Sequence, residues 1–258
     1  MAAIDGSPQG LRYAAVPVTS LWASPQAPRA VDARALTSPP DMVGWLADLD
    51  VASARAGLRG LMLGQLELGE PVCLVGRTTL ARGASWLQVA APLQPSVGGV
   101  QGVVGWVRAA HLSAVAPATP VLARFAPRGD LGASFVAAAS VHLGTRYLWA
   151  GMSALGVDCS GLVHLSLRRL GVVVPRVAAV QYAACDHLDP ALALPGDLFF
   201  FAQPGCLVHH VGIVTGPARM LHACGIAARV VEGPLDQGRL DTLVGAGALS
   251  SLLPPASR

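Results

Sequence analysis

The stretch that decides the fold is Gly156-Val-Asp-Cys-Ser-Gly-Leu-Val-His-Leu-Ser-Leu-Arg-Arg-Leu-Gly171. It predicts a helix over Cys159–Leu170, with Asp158 or Ser160 as the N-terminal cap and Gly171 at the C-terminal end. A thiol in the first turn of a helix lies at the positive end of the helix dipole, which lowers the thiol pKa from about 8.5 toward roughly 3.5–7.5. Cys159 is therefore predicted to be a reactive thiol.

A reactive cysteine also needs a base, and histidines in two downstream segments can supply one. His209 and His210 lie in a strand-like segment, and His222 lies in the next one. Adjacent antiparallel strands would place two such side chains on one face of a sheet, so that one imidazole pairs with the thiol and the other orients the first. The chain contains no Asn, so any third catalytic group has to be another residue type.

Two other interpretations of these residues stay open at this point. A lone buried cysteine commonly acts as a small apolar residue, so Cys159 can be an inert thiol. A zinc site is the second alternative, because soft ligands recur at short spacing downstream. Its candidate ligands are Cys206, His209, His210, His222 and Cys224. The set lacks a Cys-x-x-Cys pair, and the period of a strand points His209 and His210 to opposite faces.

Composition excludes several classes of protein. Of the 258 residues, 53% are apolar and 13% are charged, which excludes an intrinsically disordered chain. No run of about 20 apolar residues is present, so no membrane association is predicted. All 18 basic residues are Arg and they are spread along the chain, unlike the clustered basic face of a nucleic-acid binder. The absence of Lys excludes a pyridoxal Schiff base, a Walker A loop and a Ser-Lys dyad.

The N-terminal residues and the cysteines predict a cytoplasmic protein. The first ten residues contain neither a basic region nor an apolar core, so no secretory signal is predicted. The five cysteines are odd in number and widely spaced, which favours free thiols in a reducing compartment over a disulfide framework. They are Cys73, Cys159, Cys185, Cys206 and Cys224.

The chain is predicted to contain two domains. Residues 10–115 alternate short apolar runs with turn signals, which predicts a small β-barrel with a helical insertion near 40–60. Residues 116–129 are small, Pro-containing and largely uncharged, as in a linker. In residues 130–250, predicted helices precede predicted strands, which indicates an α+β domain. The predicted barrel strands are Arg12–Leu21, Gly69–Gly76, Ser85–Ala91 and Val103–Arg108.

Six segments in order over about a hundred residues resemble the NlpC/P60 family of bacterial cell-wall cysteine peptidases, which have a papain-like α+β fold. They are Gly144-Thr-Arg-Tyr-Leu-Trp-Ala-Gly151, Asp158-Cys-Ser-Gly161, Pro175-Arg176 with Gln181, Pro195-Gly-Asp-Leu-Phe-Phe200, His210-Val-Gly-Ile213 and Leu221-His222-Ala223. The resemblance implies a thiol peptidase that needs no cofactor and no metal.

The resemblance also implies a role for each site residue. Cys159 is the expected nucleophile, His210 rather than His209 is the expected base, and His222 is expected to orient His210. Tyr147, Asp158 and Ser160 are expected to line the site. Of these, Tyr147 and Asp158 are expected to contact the polar end of the substrate or the developing oxyanion.

The first domain resembles bacterial SH3-like barrels, specifically those of cytoplasmic enzymes that recycle murein peptides. The features are Val18-Thr-Ser-Leu-Trp22, Arg29 with Asp32, Trp45, Gln65-Leu-Glu-Leu-Gly-Glu70, Trp86 and Gly102-Val-Val-Gly-Trp106. The implied reaction is hydrolysis between γ-D-Glu and the diamino acid of small peptides with a free N-terminal L-Ala. The alternatives are another thiol amidase or acyltransferase on the same fold, or an inactive peptide-binding protein.

The chain departs from that pattern at positions that matter for specificity. Leu63 and Val103 stand where the recycling enzymes usually have the Glu and the Tyr that help hold the substrate amine, and Arg146 replaces the usual Pro beside Tyr147. An aliphatic side chain provides no partner for a desolvated ammonium. Glu67 or Glu70 would have to take over this role, or the preference for a free amine is looser.

Overall fold

The computed structural model describes residues 10–51, 55–76, 78–96, 102–118 and 130–253. Within these residues the chain divides into two compact units. Unit one contains the described residues up to 118 together with 149–155, and unit two contains 130–148 and 156–253. Residues 119–129, the larger part of the predicted linker, lie outside the described residues.

Unit one is built on one antiparallel sheet of eight strands. The strands are β1 (Leu11–Ala14), β2 (Val18–Trp22), β3 (Met62–Glu67), β4 (Pro71–Leu74), β5 (Thr79–Ala81), β6 (Ala84–Ala91), β7 (Val103–Arg108) and β8 (Leu112–Ser113). Neighbouring strands follow the order β3-β2-β7-β6-β4-β1-β8, and β5 pairs with β6.

Among the described residues this sheet does not close into a barrel, so the predicted SH3-like barrel is not confirmed. Closure requires the two end strands of a sheet to pair with each other. Among the described residues, β3 pairs with β2 and β8 pairs with β1, with no ladder between β3 and β8. The edge strand β8 is two residues long, which leaves little backbone for a further ladder. The likeness to an SH3-like domain stays a prediction.

The helix of unit one, α1 (Met42–Val51), lies in the segment predicted to be a helical insertion. Met42, Trp45 and Leu49 are buried at the i, i+3, i+7 spacing of one helix face. Val43 is 69% exposed and lies off that face, although its apolar character suggested otherwise. The predicted strand Arg12–Leu21 is two strands, because Pro17 interrupts it and has no N–H for a ladder.

The segment 149–155 belongs to unit one through a buried glutamine. Its short strand β9 (Met152–Ser153) offers a backbone N–H and a hydroxyl to one acceptor. Gln65 Oε1 accepts from the Met152 N–H at 2.9 Å and from the Ser153 hydroxyl at 3.1 Å. Gln65 is completely buried, so these two bonds satisfy an oxygen that water does not reach.

Unit two consists of four helices and an antiparallel sheet of six strands. The helices are α2 (Leu131–Ser140), α3 (Cys159–Arg169), α4 (Ala178–Ala184) and α5 (Gln237–Leu240). The strands are β10 (Gly156–Val157), β11 (His187–Leu188), β12 (Leu198–Phe201), β13 (His210–Gly216), β14 (Arg219–Cys224), β15 (Arg229–Pro234) and β16 (Leu243–Gly247). All but β10 form the sheet, in the order β11-β16-β12-β13-β14-β15. None of the helices in the described parts of either unit has the length and apolar character needed to cross a membrane.

Both faces of the sheet of unit two are buried. Alternate side chains of β12 pack into a different apolar cluster on each face. Leu198 and Phe200 join the core against α2 and α3, which also contains Phe135, Leu162 and Val211. The alternate residues Phe199 and Phe201 join a second apolar cluster with Val214 and Met220. Because side chains of a strand alternate between faces, this Leu-Phe-Phe-Phe run supplies both cores.

Candidate active site

Two histidines on neighbouring strands form a direct hydrogen bond. His210 is the first residue of β13, and His222 lies in β14. Nε2 of His210 lies 2.8 Å from Nδ1 of His222, and the two rings meet edge to face with centroids 4.9 Å apart. Both residues are buried. This is the arrangement that the sequence predicts for adjacent antiparallel strands.

The strand register explains why these side chains meet. Ile213 pairs with Leu221 across β13 and β14, and both side chains face the core against α3. The residues on either side of them in each strand point to the other face. His210 and His222 therefore share the face of Phe201, whose ring centroid lies 5.6 Å from that of His210.

Cys159 is the first residue of α3 and is buried, as the sequence predicts for the helix start. Its thiol makes a long contact of 4.0 Å with the carbonyl oxygen of His209, and the backbone N–H groups of Val211 and Ser160 are directed at the sulfur. The sulfur thus lies beside the backbone on both sides of His210. The backbone that carries the predicted base thus lies against the predicted nucleophile, and the pairing of their side chains stays a prediction.

The pKa of Cys159 moves in the direction opposite to the prediction. Burial raises it to about 12, and the negative charge of Asp158 raises it further. The N–H groups of Val211 and Ser160 and the charge of Arg176 lower it, but they do not compensate. The helix dipole was expected to dominate. Loss of water around the sulfur is the larger effect because desolvation penalises the thiolate directly.

The two imidazoles are also held neutral. Burial is the main cause that lowers the pKa of His210 well below its ordinary value, and the charges of Arg239, His222 and His209 add to it. Burial and then Arg239 lower the pKa of His222 to about 4, while Asp236 opposes this shift. Burial thus favours the neutral form of both imidazoles, as it favours the neutral thiol of Cys159.

A buried ion pair fixes the start of α3. Asp158 caps the helix by accepting the Gly161 N–H at 2.6 Å. Its two carboxylate oxygens accept from Arg176 at 3.0 and 2.8 Å. Arg176 also donates to the Ser160 hydroxyl at 3.1 Å, and Gln181 donates to the Ser160 backbone oxygen at 3.1 Å. Asp158 and Ser160, both predicted to line the site, are thus tied into the support of Cys159.

Tyr147 is held near the same helix by its backbone. It bridges to Val157, just before α3, and its N–H donates to the Ala228 carbonyl at 2.8 Å. Its half-buried side chain packs against the core of unit two.

The zinc alternative finds no support in the geometry. Across the described ranges, no three His, Cys, Asp or Glu side chains come together in a way that could hold a metal ion. Cys206 and His209 are exposed on the surface of unit two, whereas His210 and His222 are buried in contact with each other.

Comparison with known proteins identifies the family of this site. Residues 144–243 match the NlpC/P60 family. The chain carries an NlpC/P60 domain. This domain contains Tyr147, Asp158, Cys159, Ser160, His210 and His222, and it also contains Arg176 and Arg239. The family resemblance inferred from the sequence is confirmed.

Individual relatives cover different shares of the chain. The peptidoglycan endopeptidase RipB of Mycobacterium tuberculosis is 37% identical over 37% of this chain and 39% of its own length. The probable endopeptidase p60 of Listeria monocytogenes is 38% identical over 34% of this chain and 18% of its own. The chain thus spans about a fifth to two fifths of these relatives, and the matches fall on about a third of its own length.

Two further proteins match over most of the chain. The γ-D-glutamyl-L-lysine dipeptidyl-peptidase of Bacillus subtilis is 25% identical over 80% of this chain and 87% of its own length. The crystal structure of an NlpC/P60 family protein from Bacillus cereus superposes with a TM-score of 0.80, covering 93% of this chain and 99% of that one at 21% identity. This likeness shows that the mixed α/β fold, including that of the NlpC/P60 domain, is shared.

Two features near the site could not be predicted from the sequence motifs. Arg239 was not singled out, because it lies 17 residues after His222 in a segment without a motif. Arg176 and Gln181 were matched to the family but given no role, since their contacts with Asp158 and Ser160 bridge separate segments.

Proposed function

We propose that this protein is a cysteine peptidase that hydrolyses the bond between γ-D-Glu and the diamino acid of small murein peptides. The observation that carries the proposal is the 2.8 Å bond between His210 and His222, together with the contact of the buried Cys159 thiol with the backbone on either side of His210. The match over most of the chain to a γ-D-glutamyl-L-lysine dipeptidyl-peptidase supports the substrate class. A cytoplasmic role in murein-peptide recycling is part of the proposal and follows from the recycling enzymes that the sequence resembles.

The proposed mechanism begins from a neutral pair. Nδ1 of His210 must be unprotonated to accept the thiol proton, so Nε2 of His210 carries its hydrogen and donates it to Nδ1 of His222. The thiol of Cys159 loses its proton to His210 as the sulfur attacks the γ-glutamyl carbonyl carbon. Because burial disfavours the thiolate, the proposed proton transfer to His210 accompanies the attack.

The remaining steps return every group to its starting state. The tetrahedral intermediate collapses when the C–N bond breaks, and the imidazolium of His210 gives its proton to the leaving amine of the diamino acid. A thioester between Cys159 and the γ-glutamyl group remains. Water then attacks this thioester with His210 as base, the C–S bond breaks, and the proton returns to the sulfur. Backbone N–H groups at the start of α3 are suited to stabilise the oxyanion.

The test is cleavage of L-Ala-γ-D-Glu-diaminopimelate by the purified protein. We expect release of the diamino acid by the parent protein and none by the Cys159→Ala variant, which should keep the parent circular dichroism spectrum. Cys206→Ala is the matched control, because Cys206 is an exposed thiol of the same unit, and it should retain full activity. A parent protein that leaves the γ-glutamyl bond intact would contradict the proposal. Cleavage of a lipid acyl donor instead would favour the amidase or acyltransferase alternative.

A second candidate function is supported by the raised pKa of Cys159, which suits an inactive peptide-binding protein. The peptidase and the binding protein should differ in the rate at which iodoacetamide alkylates Cys159 at pH 7. Burial raises the pKa values of both Cys159 and Cys185 to about 12, so neither thiol has an advantage from its own ionisation. Faster alkylation of Cys159, lost in His210→Ala, indicates an assisting base and a catalyst. Equal rates for the two thiols indicate the binding protein.

A further inference from the structure

Arg239 is a charged residue near the histidine pair that lies outside the family motifs. It belongs to α5 and is half-buried. Its Cζ lies 5.5 Å from the centroid of the Phe201 ring, and this ring in turn lies 5.6 Å from that of His210. Its Nη2 lies 3.9 Å from Sγ of Cys224, which is two residues beyond His222 on the same face of β14.

Among the described residues, these contacts leave the guanidinium without a carboxylate partner. Over the part of the chain that the structure describes, no Asp or Glu oxygen forms a salt bridge with Arg239. Asp236 caps α5 and accepts the backbone N–H of Arg239 at 2.9 Å rather than its side chain. A cation in this setting is stabilised by the ring face of Phe201. Its charge consequently remains unneutralised next to the two imidazoles.

We propose that Arg239 is a positioning residue of this site, whose cation keeps the His210–His222 pair in the neutral, hydrogen-bonded form that accepts the thiol proton. The proposal rests on the proposed function, since it assigns a task to the pair in that reaction. A protonated imidazole beside a fixed guanidinium is disfavoured by repulsion between like charges. A protonated His210 has no lone pair for the thiol proton, so the charge of Arg239 widens the pH range in which the base is available.

Some charges around the pair lower the pKa values of the two histidines, and one raises that of His222. The groups that act on the pair are His209, Asp236 and Arg239, and Cys224 contacts Arg239. At the start of α3, Cys159 lies against the backbone on either side of His210, and the Asp158–Arg176 ion pair precedes it. Arg239 lowers the pKa values of both histidines, and Asp236 raises that of His222. Removing the Arg239 charge leaves the opposing carboxylate in place. The pKa values of the pair should therefore rise.

The experiment compares pH profiles of kcat/KM on L-Ala-γ-D-Glu-diaminopimelate for the parent protein, Arg239→Gln and Arg239→Lys. We expect the acid limb of Arg239→Gln to move up by about one pH unit, as expected for loss of one nearby charge in a partly buried site. Arg239→Lys should stay close to the parent profile because it keeps the charge. Arg219→Gln removes an exposed Arg from the same strand as His222 and should leave the limb unchanged. An Arg239→Gln profile that drops uniformly, with the limb in place, would overturn the proposal.

A direct titration separates this proposal from the proposed function. The NMR signals of His210 and His222 are followed against pH in Cys159→Ala and in Cys159→Ala/Arg239→Gln, neither of which needs to be active. Higher pKa values in the second protein support the role of Arg239 even if no peptide is cleaved. Identical values in the two proteins refute it even if the parent protein is an active peptidase. Arg239→Lys in the same background should titrate like the parent pair.

Discussion

Arg176 and Asp158 form a two-point ion pair one residue before the nucleophile, with both side chains almost fully removed from water. The pair joins the residue that caps α3 to the loop between α3 and α4, and it also holds the Ser160 hydroxyl. The Asp158 carboxylate, beside Cys159, therefore holds the start of α3 in place.

Replacing Arg176 by Met should destabilise the protein more than the loss of a surface pair. A buried carboxylate deprived of its cation typically costs about 3–5 kcal/mol in free energy of unfolding. The exposed pair of Arg219 and Glu232, with 3.7 Å between Nη2 and Oε1, should contribute about 1 kcal/mol or less. Urea unfolding of Arg176→Met and Arg219→Ala measures the difference.

The double variant Asp158→Asn/Arg176→Met serves as the control for this prediction. Asn still accepts the Gly161 N–H as a helix cap but carries no charge, so the double variant should be more stable than Arg176→Met alone. If Arg176→Met loses no more stability than Arg219→Ala, the ion pair does not have the assigned structural role.

The orientation of His210 should depend on an acceptor at position 222. His222→Leu removes the acceptor for the Nε2 hydrogen of His210, so kcat should fall by about 10²–10⁴ through loss of the productive tautomer. His222→Asn offers an amide oxygen and should retain more activity than the Leu variant. His209→Ala, which alters an exposed neighbour, should change kcat less than twofold. Equal activities of the Leu and Asn variants would argue against an orienting role.

The protein should lose stability as the pH falls below about 6.5. Burial lowers the pKa of His164 to about 3, and it lowers that of His142 to about 4. In the unfolded chain both groups bind a proton near pH 6.5, so the stability present above this pH is lost on acidification. The loss is at most about 1.4 kcal/mol per pH unit for each histidine.

Urea unfolding at intervals from pH 7.5 to pH 4.5 measures this slope. His164→Asn is the informative variant, because an amide can still donate to the Val174 carbonyl that His164 Nδ1 contacts at 2.7 Å, yet it does not titrate. Its slope should be shallower than that of the parent protein. A parent stability that stays constant over this range would contradict the pKa shifts.

The preference for a free N-terminal amine should be weaker than in the recycling enzymes that the sequence resembles. Leu63 and Val103 pack against the apolar core of unit one and offer no charge to an ammonium. Asp158 of unit two is already paired with Arg176. Loss of one acidic partner should reduce discrimination by roughly tenfold or more, since about 1.4 kcal/mol corresponds to one decade.

The measurement is kcat/KM for a free-amine and an N-acetylated tripeptide. The Leu63→Glu variant should increase the preference for the free amine, and Leu63→Met should not. A parent preference above a thousandfold, with no gain from Leu63→Glu, would show that another acid has taken over this task.

The sequence alone determined the local framework of the site. Asp158, a short polar residue, and Gly171, found at a φ of +86°, set the ends of α3, so the position of Cys159 at its N-terminus could be predicted from neighbours in the chain. The period of two in strands likewise predicted that His210 and His222 share a sheet face. Both inferences depend only on contacts within one element or between adjacent strands.

The tertiary structure decided the burial, the pKa values and the long-range contacts of those residues. Burial reverses the expected shift in the Cys159 pKa because desolvation depends on every element packed around the sulfur, and no local pattern encodes it. Arg176 reaches Asp158 from the loop after α3, and Arg239 reaches the histidine pair from α5. Whether the sheet of unit one closes depends on whether its two end strands, β3 and β8, pair with each other. Long-range packing fixes all four features, so the sequence by itself determined where the chemical groups stand, and only the tertiary structure decided their charge and support.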